Sequence, residues 1–165
     1  ASAITGVVNA VYNQANMVLV VLDNSTTAMT GHQPHPGTGR TVMGEIVQKI
    51  NIEQVLRGIG VTEIETINPL ELEASVSCVK RMAEKSGVRA IIFKAPCIAV
   101  TRSKAPLHVD QDSCIGCKKC IRDLGCPAIV MNDGKICIDA SMCTGCHLCS
   151  QVCPVCAIAG GDDYE

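Results

Sequence analysis

Ten of the twelve cysteines lie between Cys114 and Cys156, and their spacing carries chemistry. The run Cys143-x2-Cys146-x2-Cys149-x3-Cys153-Pro154 sets three thiolates on a tight loop and a fourth further along. Three close thiolates reach three irons of one [4Fe–4S] cube, while the fourth lies too far on and serves a second cube. Zinc would want paired C-x2-C knuckles instead of triplets. Disulfides would suit a small secreted chain, and metal an intracellular one. The triplets favour iron–sulfur cubes over both alternatives. The second unit is present as an internal repeat: Cys114, Cys117 and Cys120 recur 29 residues later as Cys143, Cys146 and Cys149. Ala128-Ile129 likewise recurs as Ala157-Ile158.

A second group of reactive types sits in "LDNSTTAMTGHQPHPGTGRT", residues 22–41. Asn24 follows an apolar run, then come Ser25, Thr26, Thr27, Thr30 and Gly31. These are oxygen ligands and donors of the kind Mg²⁺ and phosphates need. Its glycines permit close backbone approach. Loops of this length are functional or disordered more often than structural. On residue chemistry alone, a ligand loop and a polar surface loop stand level. Cys78 and Cys156 read as packing thiols, while Cys97, just beyond a strand end, is read as a buried thiol ahead of a site role. His147, inside a cysteine triplet, reads as solvent-facing or hydrogen-bonded instead of a ligand.

Elements to hold these residues can be read around them. Ile4, Val7, Val8, Val11 and Ala15 follow the spacing of an amphipathic helix over 3–15. "MVLVVLD", 17–23, reads as a strand buried on both faces, hence parallel. A short helix over 51–58 is stopped by Gly58 and Gly60, and "VTEIETI", 61–67, alternates as a strand. Asn68 as N-cap and Pro69 at the first helical position open a helix whose expected buried stripe is Leu72, Val76, Val79 and Ala83. "RAIIFKA", 89–95, is the next strand. Helix and strand in alternation imply a doubly wound α/β sheet, with ligands beyond the carboxyl ends of its strands. The loop at 23–41 leaves one such end. After Pro106 the chain becomes a small cysteine-rich α+β domain, so the expected domains are 1–104 and 105–165.

The 165 residues are 47% apolar and 18% charged, which is globular composition. Net charge is −2, with no basic run to bind nucleic acid. No apolar stretch of about 18 residues spans a bilayer, and no basic-then-apolar leader is present. Neither nucleic acid nor membrane is therefore an expected partner.

The cysteine region resembles the two-cluster bacterial ferredoxin family. That resemblance implies that cluster I takes Cys114, Cys117, Cys120 and Cys153, and cluster II takes Cys143, Cys146, Cys149 and Cys126. The first unit departs from the pattern, reading Cys120-x5-Cys126-Pro127, with Leu124 at the place of Cys153. A two-residue slide on a helix turns a side chain by about 200°. Either the backbone near Gly125 differs so that Cys126 still ligates, or cluster II has three irons or borrows Cys137.

"GVVNAVYNQANMVLVVLDNSTTAMTGHQPHPGTG" closely resembles the thiamine-diphosphate-binding domain of 2-oxoacid:ferredoxin oxidoreductases. Within them, "LDNSTTAMTGHQPHPG" is similar to the large (alpha) subunits of the indolepyruvate enzymes, which also end in a two-cluster ferredoxin domain. The resemblance implies that Asn24 gives its side-chain oxygen, and Thr26 its carbonyl, to Mg²⁺. Met29, Thr30 and Gly31 would run along the diphosphate. His32, Gln33 and His35 would face the reactive carbon or the substrate carboxylate, although the two histidines could equally stabilise the loop. The family's Gly-Asp metal-binding pair and its pyrimidine-binding domain have no counterpart in this sequence. The chain is therefore expected to be the N-terminally incomplete C-terminal part of a larger polypeptide, or one piece of a split enzyme.

The implied activity is oxidative decarboxylation of aryl pyruvates, above all indolepyruvate, to acyl-CoA and CO₂. Its cofactors would be thiamine diphosphate, Mg²⁺ and two [4Fe–4S] clusters. Electrons would leave to a soluble ferredoxin in an anaerobic cytoplasm. Expected partners are the beta subunit in a hetero-oligomer, the further N-terminal domains, ferredoxin, coenzyme A and the 2-oxoacid. The alternatives are a non-enzymatic electron-transfer module, or a sibling enzyme for pyruvate, 2-oxoglutarate or branched 2-oxoacids. With one Phe, two Tyr and no Trp, an aromatic substrate would meet aliphatic and Met walls, or walls from elsewhere.

Overall fold

The computed structural model describes residues 3–101 and 104–160. The described residues fall into two compact units that divide between Val100 and Thr101.

The first unit runs α1 (Ala3–Tyr12), β1 (Met17–Asp23), α2 (Ile52–Ile59), β2 (Glu63–Ile67), α3 (Leu72–Glu84) and β3 (Val88–Lys94). The three strands form one parallel sheet in the order β1-β3-β2. Successive side chains of a strand point to opposite faces, and both faces of central β3 are covered. Ala90 and Ile92 pack with Val7 of α1, Leu56 of α2 and Val61, joined by Leu19, Val21 and Ile64. Ile91 packs on the other face with Cys78 and Met82 of α3, joined by Val18, Ile67 and Phe93. A parallel strand covered on both faces is expected to read as a continuous apolar run, as "AIIF" does.

α2 starts where its N-cap dictates: the Asn51 side chain accepts from the Gln54 amide at 3.1 Å. α3 starts later than expected. The Asn68 side chain accepts from the Leu70 amide at 3.0 Å, making a turn of its own before the helix begins at Leu72. The buried stripe of α3 is also different: Ser75, Cys78 and Met82 face the sheet, while Val76 and Val79 are each 45% exposed. Cys78, one position before Val79, is the packing thiol it was expected to be.

One buried charge holds the far end of this unit. Arg89 is 4% exposed on β3. Its Nε donates to the Met82 carbonyl at 2.9 Å and its Nη1 to the Gly87 carbonyl at 2.6 Å, and Nη1 also donates to Asn16 Oδ1. The guanidinium thus binds carbonyls at the C-terminal end of α3, where the helix dipole favours a cation.

The second unit runs β4 (Leu107–Val109), α4 (Lys119–Leu124), β5 (Ile129–Asn132), β6 (Lys135–Ile138), α5 (Leu148–Val152) and β7 (Ile158–Gly160). β4 pairs antiparallel with β7, and β5 with β6 through a turn at Asp133-Gly134. The sequence repeat is a structural one. Lys118 and His147, 29 apart, both head their helices at φ +58° and +62°. The Asp110 amide donates to the Ala157 carbonyl and the Asp139 amide to the Ala128 carbonyl, both at 2.8 Å. Each cysteine loop is therefore hung from a strand of the other repeat. In both, the Asp carbonyl accepts from the first cysteine of the triplet, Cys114 and Cys143, at 3.0 Å.

Candidate functional site

The slid cysteine is accommodated by the backbone. α5 ends at Cys153 in an extended conformation, φ −76°. α4 runs on through Leu124 and ends at Gly125 in the left-handed region, φ +58°, its amide bonded to the Ile121 carbonyl at 3.0 Å. Reversing at a glycine, the chain brings Cys126 to a pocket of about 280 Å³ whose lining includes Cys143, Cys146 and Cys149. Cys137 is not among the residues around that pocket.

Cys149 is only 7% exposed. Burial, with the neighbouring Cys146, Cys143 and Cys126 thiolates adding, pushes its thiol up to about 11. Cys120 is raised in the same way: burial comes first, then the charges of Cys117 and Cys153. Two separate thiol environments follow, one holding Cys126 with the second triplet and the other holding Cys153 with Cys117 and Cys120. Their chemistry fits four-iron cubes. Zinc–sulfur bonds of about 2.3 Å would draw tetrahedral ligands within about 4 Å of one another. Among the described residues no group of three or more His, Cys, Asp and Glu converges on a single ion in that way. None of the twelve cysteines is joined in a disulfide.

The remaining thiols divide. Cys156 was expected to pack in a core, but it is exposed at φ +51°. It holds the repeat position of Pro127, and the left-handed turn aims its side chain outward. Cys97 is half-buried, its amide donating to the Asn24 carbonyl at 2.9 Å. His147 is half-buried, and its carbonyl accepts from Ser150 Oγ at 2.8 Å.

In the first unit, the loop after β1 is built by its own short side chains. Asp23 Oδ1 accepts from the Ser25 amide at 3.0 Å and Asn24 Oδ1 from the Thr26 amide at 3.2 Å. Ser25 takes φ +62°, and Thr26 turns inward to a buried site. A 3-10 turn, Ala28–Thr30, closes on Gly31 at φ +99°. The His32 amide returns to the Thr27 carbonyl at 2.9 Å, and Thr30 Oγ1 meets Gln33 Oε1 at 2.5 Å. Met29, Thr30, Gly31, His32 and Gln33 thus form one exposed, self-bonded turn. His35 is half-buried, with Nδ1 accepting from the Gly37 amide at 3.1 Å and its carbonyl accepting from Thr38 Oγ1 at 2.8 Å.

Two pockets open at the carboxyl ends of the strands. One, about 270 Å³, is lined by Leu22, Asp23, Asn24, Pro69, Ser75 and Phe93, among others. The other, about 440 Å³, includes Asp23, Gly37, Lys49, Asn51, Thr66 and Lys94 in its wall. Asn24 therefore faces a strand-end pocket, as does Gly37, whereas Met29 through Gln33 line neither. Lys49, Asn51 and Lys94 were missed in the sequence. Their signal was positional: the N-cap of α2 follows the loop directly, and Lys94 ends the central strand. An oxygen-rich strand end with Lys49 and Lys94 beside it suits a magnesium-bound diphosphate.

Comparison with known proteins agrees with both halves. Residues 1–93 match the thiamine pyrophosphate enzyme C-terminal TPP binding domain, and residues 107–154 match the 4Fe–4S dicluster domain. The chain is 44% identical over 160 residues to the indolepyruvate oxidoreductase subunit IorA of Methanothermobacter thermautotrophicus, covering 95% of this chain and 26% of that protein. It is 39% identical over 132 residues to the IorA subunit of Archaeoglobus fulgidus, covering 76% of this chain and 21% of that one. The chain spans about a quarter of the length of the curated relatives it matches. No solved structure is a significant match.

Proposed function

We propose, since this chain belongs to the thiamine pyrophosphate enzymes through their C-terminal TPP-binding domain, that it is the cofactor-binding and electron-exit part of a 2-oxoacid:ferredoxin oxidoreductase acting on aryl pyruvates such as indolepyruvate. The observation that carries this reading is the presence of a thiamine-diphosphate domain and a dicluster domain in one chain. The finer fold reading, a doubly wound sheet, rests on helices covering both faces of the parallel strands.

Thiamine diphosphate supplies the decarboxylation chemistry and the clusters supply one-electron steps. The chain's own residues do the holding. Asn24 offers its side-chain oxygen and Thr26 its carbonyl to Mg²⁺. Met29, Thr30 and Gly31 run beside the diphosphate once the exposed turn docks, and Lys49 and Lys94 add positive charge at the strand ends. His32, Gln33 and His35 face the substrate carboxylate. In His35 the amide bond to Nδ1 leaves the proton of the neutral ring on Nε2, which makes that nitrogen a donor. Cys114, Cys117, Cys120 and Cys153 hold one cube, and Cys143, Cys146, Cys149 and Cys126 hold the other. Reaction products leave as CO₂ and an acyl group on coenzyme A, with electrons passing to a cytoplasmic ferredoxin. The beta subunit completes the assembly.

The test is turnover by the full-length protein with its partner subunit, using a viologen acceptor, coenzyme A, Mg²⁺ and thiamine diphosphate. Indolepyruvate should be used well ahead of pyruvate. Equal rates on the two would remove the substrate class. Reduction of the clusters by dithionite, with no thiamine-dependent turnover of any 2-oxoacid, would leave an electron-transfer module instead.

A further inference from the structure

The chain enters the second unit along a short strap, Lys104 to Pro106, and this strap lies on one of the two cysteine loops. A Cβ added at Gly145 would stand 2.6 Å from Lys104 Cβ and 2.7 Å from the Ala105 carbonyl oxygen. Gly116, its counterpart 29 residues earlier, has almost the same backbone, φ +65° against +67°, yet a Cβ there would meet none of the described residues within 4 Å. The two loops are alike in conformation, and among the described residues only the second is roofed. Two amides hold the roof down. Lys104 N–H donates to the Thr144 carbonyl at 3.4 Å, and Leu107 N–H donates to Cys143 Sγ at 3.4 Å. The strap's other end is crowded as well, since a Cβ at Gly160 would lie 3.2 Å from the Pro106 carbonyl oxygen.

We propose that this strap is a positioning element that sets the reduction potential of the cube held by Cys143, Cys146 and Cys149, with Gly145 the residue that lets it seat. The inference rests on the reading that those thiolates hold a four-iron cube. Reduction adds one electron to the cube from a donor or mediator, with no bond made or broken, and spreads negative charge over its sulfurs. An N–H dipole aimed at a ligand sulfur stabilises that reduced state and raises the potential. Lifting the strap weakens the Leu107 contact and makes reduction harder at this cube alone. No described residue lies over Gly116, so its substitution carries the same backbone strain without that consequence.

The experiment is an EPR-monitored redox titration of the full-length oxidoreductase with both clusters in place. The proteins are wild type, Gly145→Ala, Gly116→Ala and Pro106→Gly, the last loosening the strap without touching a loop. Iron and sulfide analysis comes first. About eight irons per wild-type chain means two cubes, while zinc or no metal overturns the functional reading itself, independently of the strap. Cys126→Ser marks which signal belongs to the second triplet. In Gly145→Ala and Pro106→Gly, that cluster's midpoint should move to more negative values and the other stay still. In Gly116→Ala the marked midpoint should not move. Equal shifts of it in Gly145→Ala and Gly116→Ala, or none in Gly145→Ala and Pro106→Gly, would overturn the proposal. Should Gly145→Ala fail to assemble, Pro106→Gly decides alone: a shift supports the strap and an unmoved midpoint refutes it.

Discussion

Replacing Arg89 by Met should destabilise the first unit by about 3–4 kcal/mol. The side chain is 4% exposed, and its guanidinium donates to Met82 and Gly87 carbonyls and to the Asn16 side chain. A hydrogen bond to a charged group contributes roughly 1.5–3 kcal/mol net, so three give about 5–9 kcal/mol. Burying the ion takes back several kcal/mol, which Met avoids while refilling much of the space. What remains is two orphaned carbonyls, Met82 and the partly buried Gly87, at about 1–1.5 kcal/mol each, since exposed Asn16 turns to water. The lost cation at the α3 C-terminus adds up to about 1 kcal/mol. Arg89→Lys keeps the charge but not the planar fork and should lose about half as much. The assay is amide exchange at Ala90, Ile91 and Ile92 in the full-length protein, with increasing urea. A loss below about 1 kcal/mol for Arg89→Met would mean that desolvation of the guanidinium already cancels its hydrogen bonds.

Cys126→Ser should take one iron from about four in a single cluster, read as a fall in iron per chain and a three-iron EPR signal; an unchanged iron count would hand that ligand role to another group. Gly37→Ala should push the His35 ring, since the added Cβ would lie 2.9 Å from its Cε1, and should raise KM for the 2-oxoacid severalfold; unchanged kinetics would remove His35 from the substrate's surroundings. In the metal-free full-length chain, burial raises Cys149 from 9.0 to about 11. Roughly one chain in ten thousand then carries its thiolate at pH 7, and alkylation followed by mass spectrometry should speed up about tenfold per pH unit. The same shift leaves metal-free stability unchanged well below pH 9 and erodes it as pH rises from 9.0 toward about 11, because the unfolded thiol ionises first. Asn24→Ala should weaken magnesium-dependent thiamine diphosphate binding at least tenfold by calorimetry on the full-length enzyme; equal affinity would show that the metal sits elsewhere.

The cysteine domain was legible because its constraint is local. Triplets at fixed spacing and a 29-residue repeat specify loop, helix and strand twice over, and even the slid Cys126 announced a backbone change that Gly125 supplies. The parallel sheet was legible from two apolar runs and one alternating stretch. α3 was misread in its rotation because two stripes compete along it. Val76 and Val79 are the more apolar pair, yet the side facing the sheet is the one where Cys78 and Met82 meet Ile91. Small Ser75 fits there too, with Oγ donating to the Asn68 carbonyl at 3.2 Å. Counting apolar residues cannot see which of two stripes the sheet will meet. Nor could Arg89, inside a strand that reads as buried, be recognised from sequence as a partner for carbonyls at the end of α3. Lys49 and Lys94 meet at one pocket only after β1, α2 and β3 are assembled.

Each triplet hangs from a main-chain bond to the opposite repeat, Asp110 to Ala157 and Asp139 to Ala128, and under the proposed ligand sets each borrows its last sulfur from across the same seam. Neither half is a vessel by itself. Oxygen that strips the iron from one side also unmoors the walls of its twin, so damage spreads through the pair and repair has to refill both together.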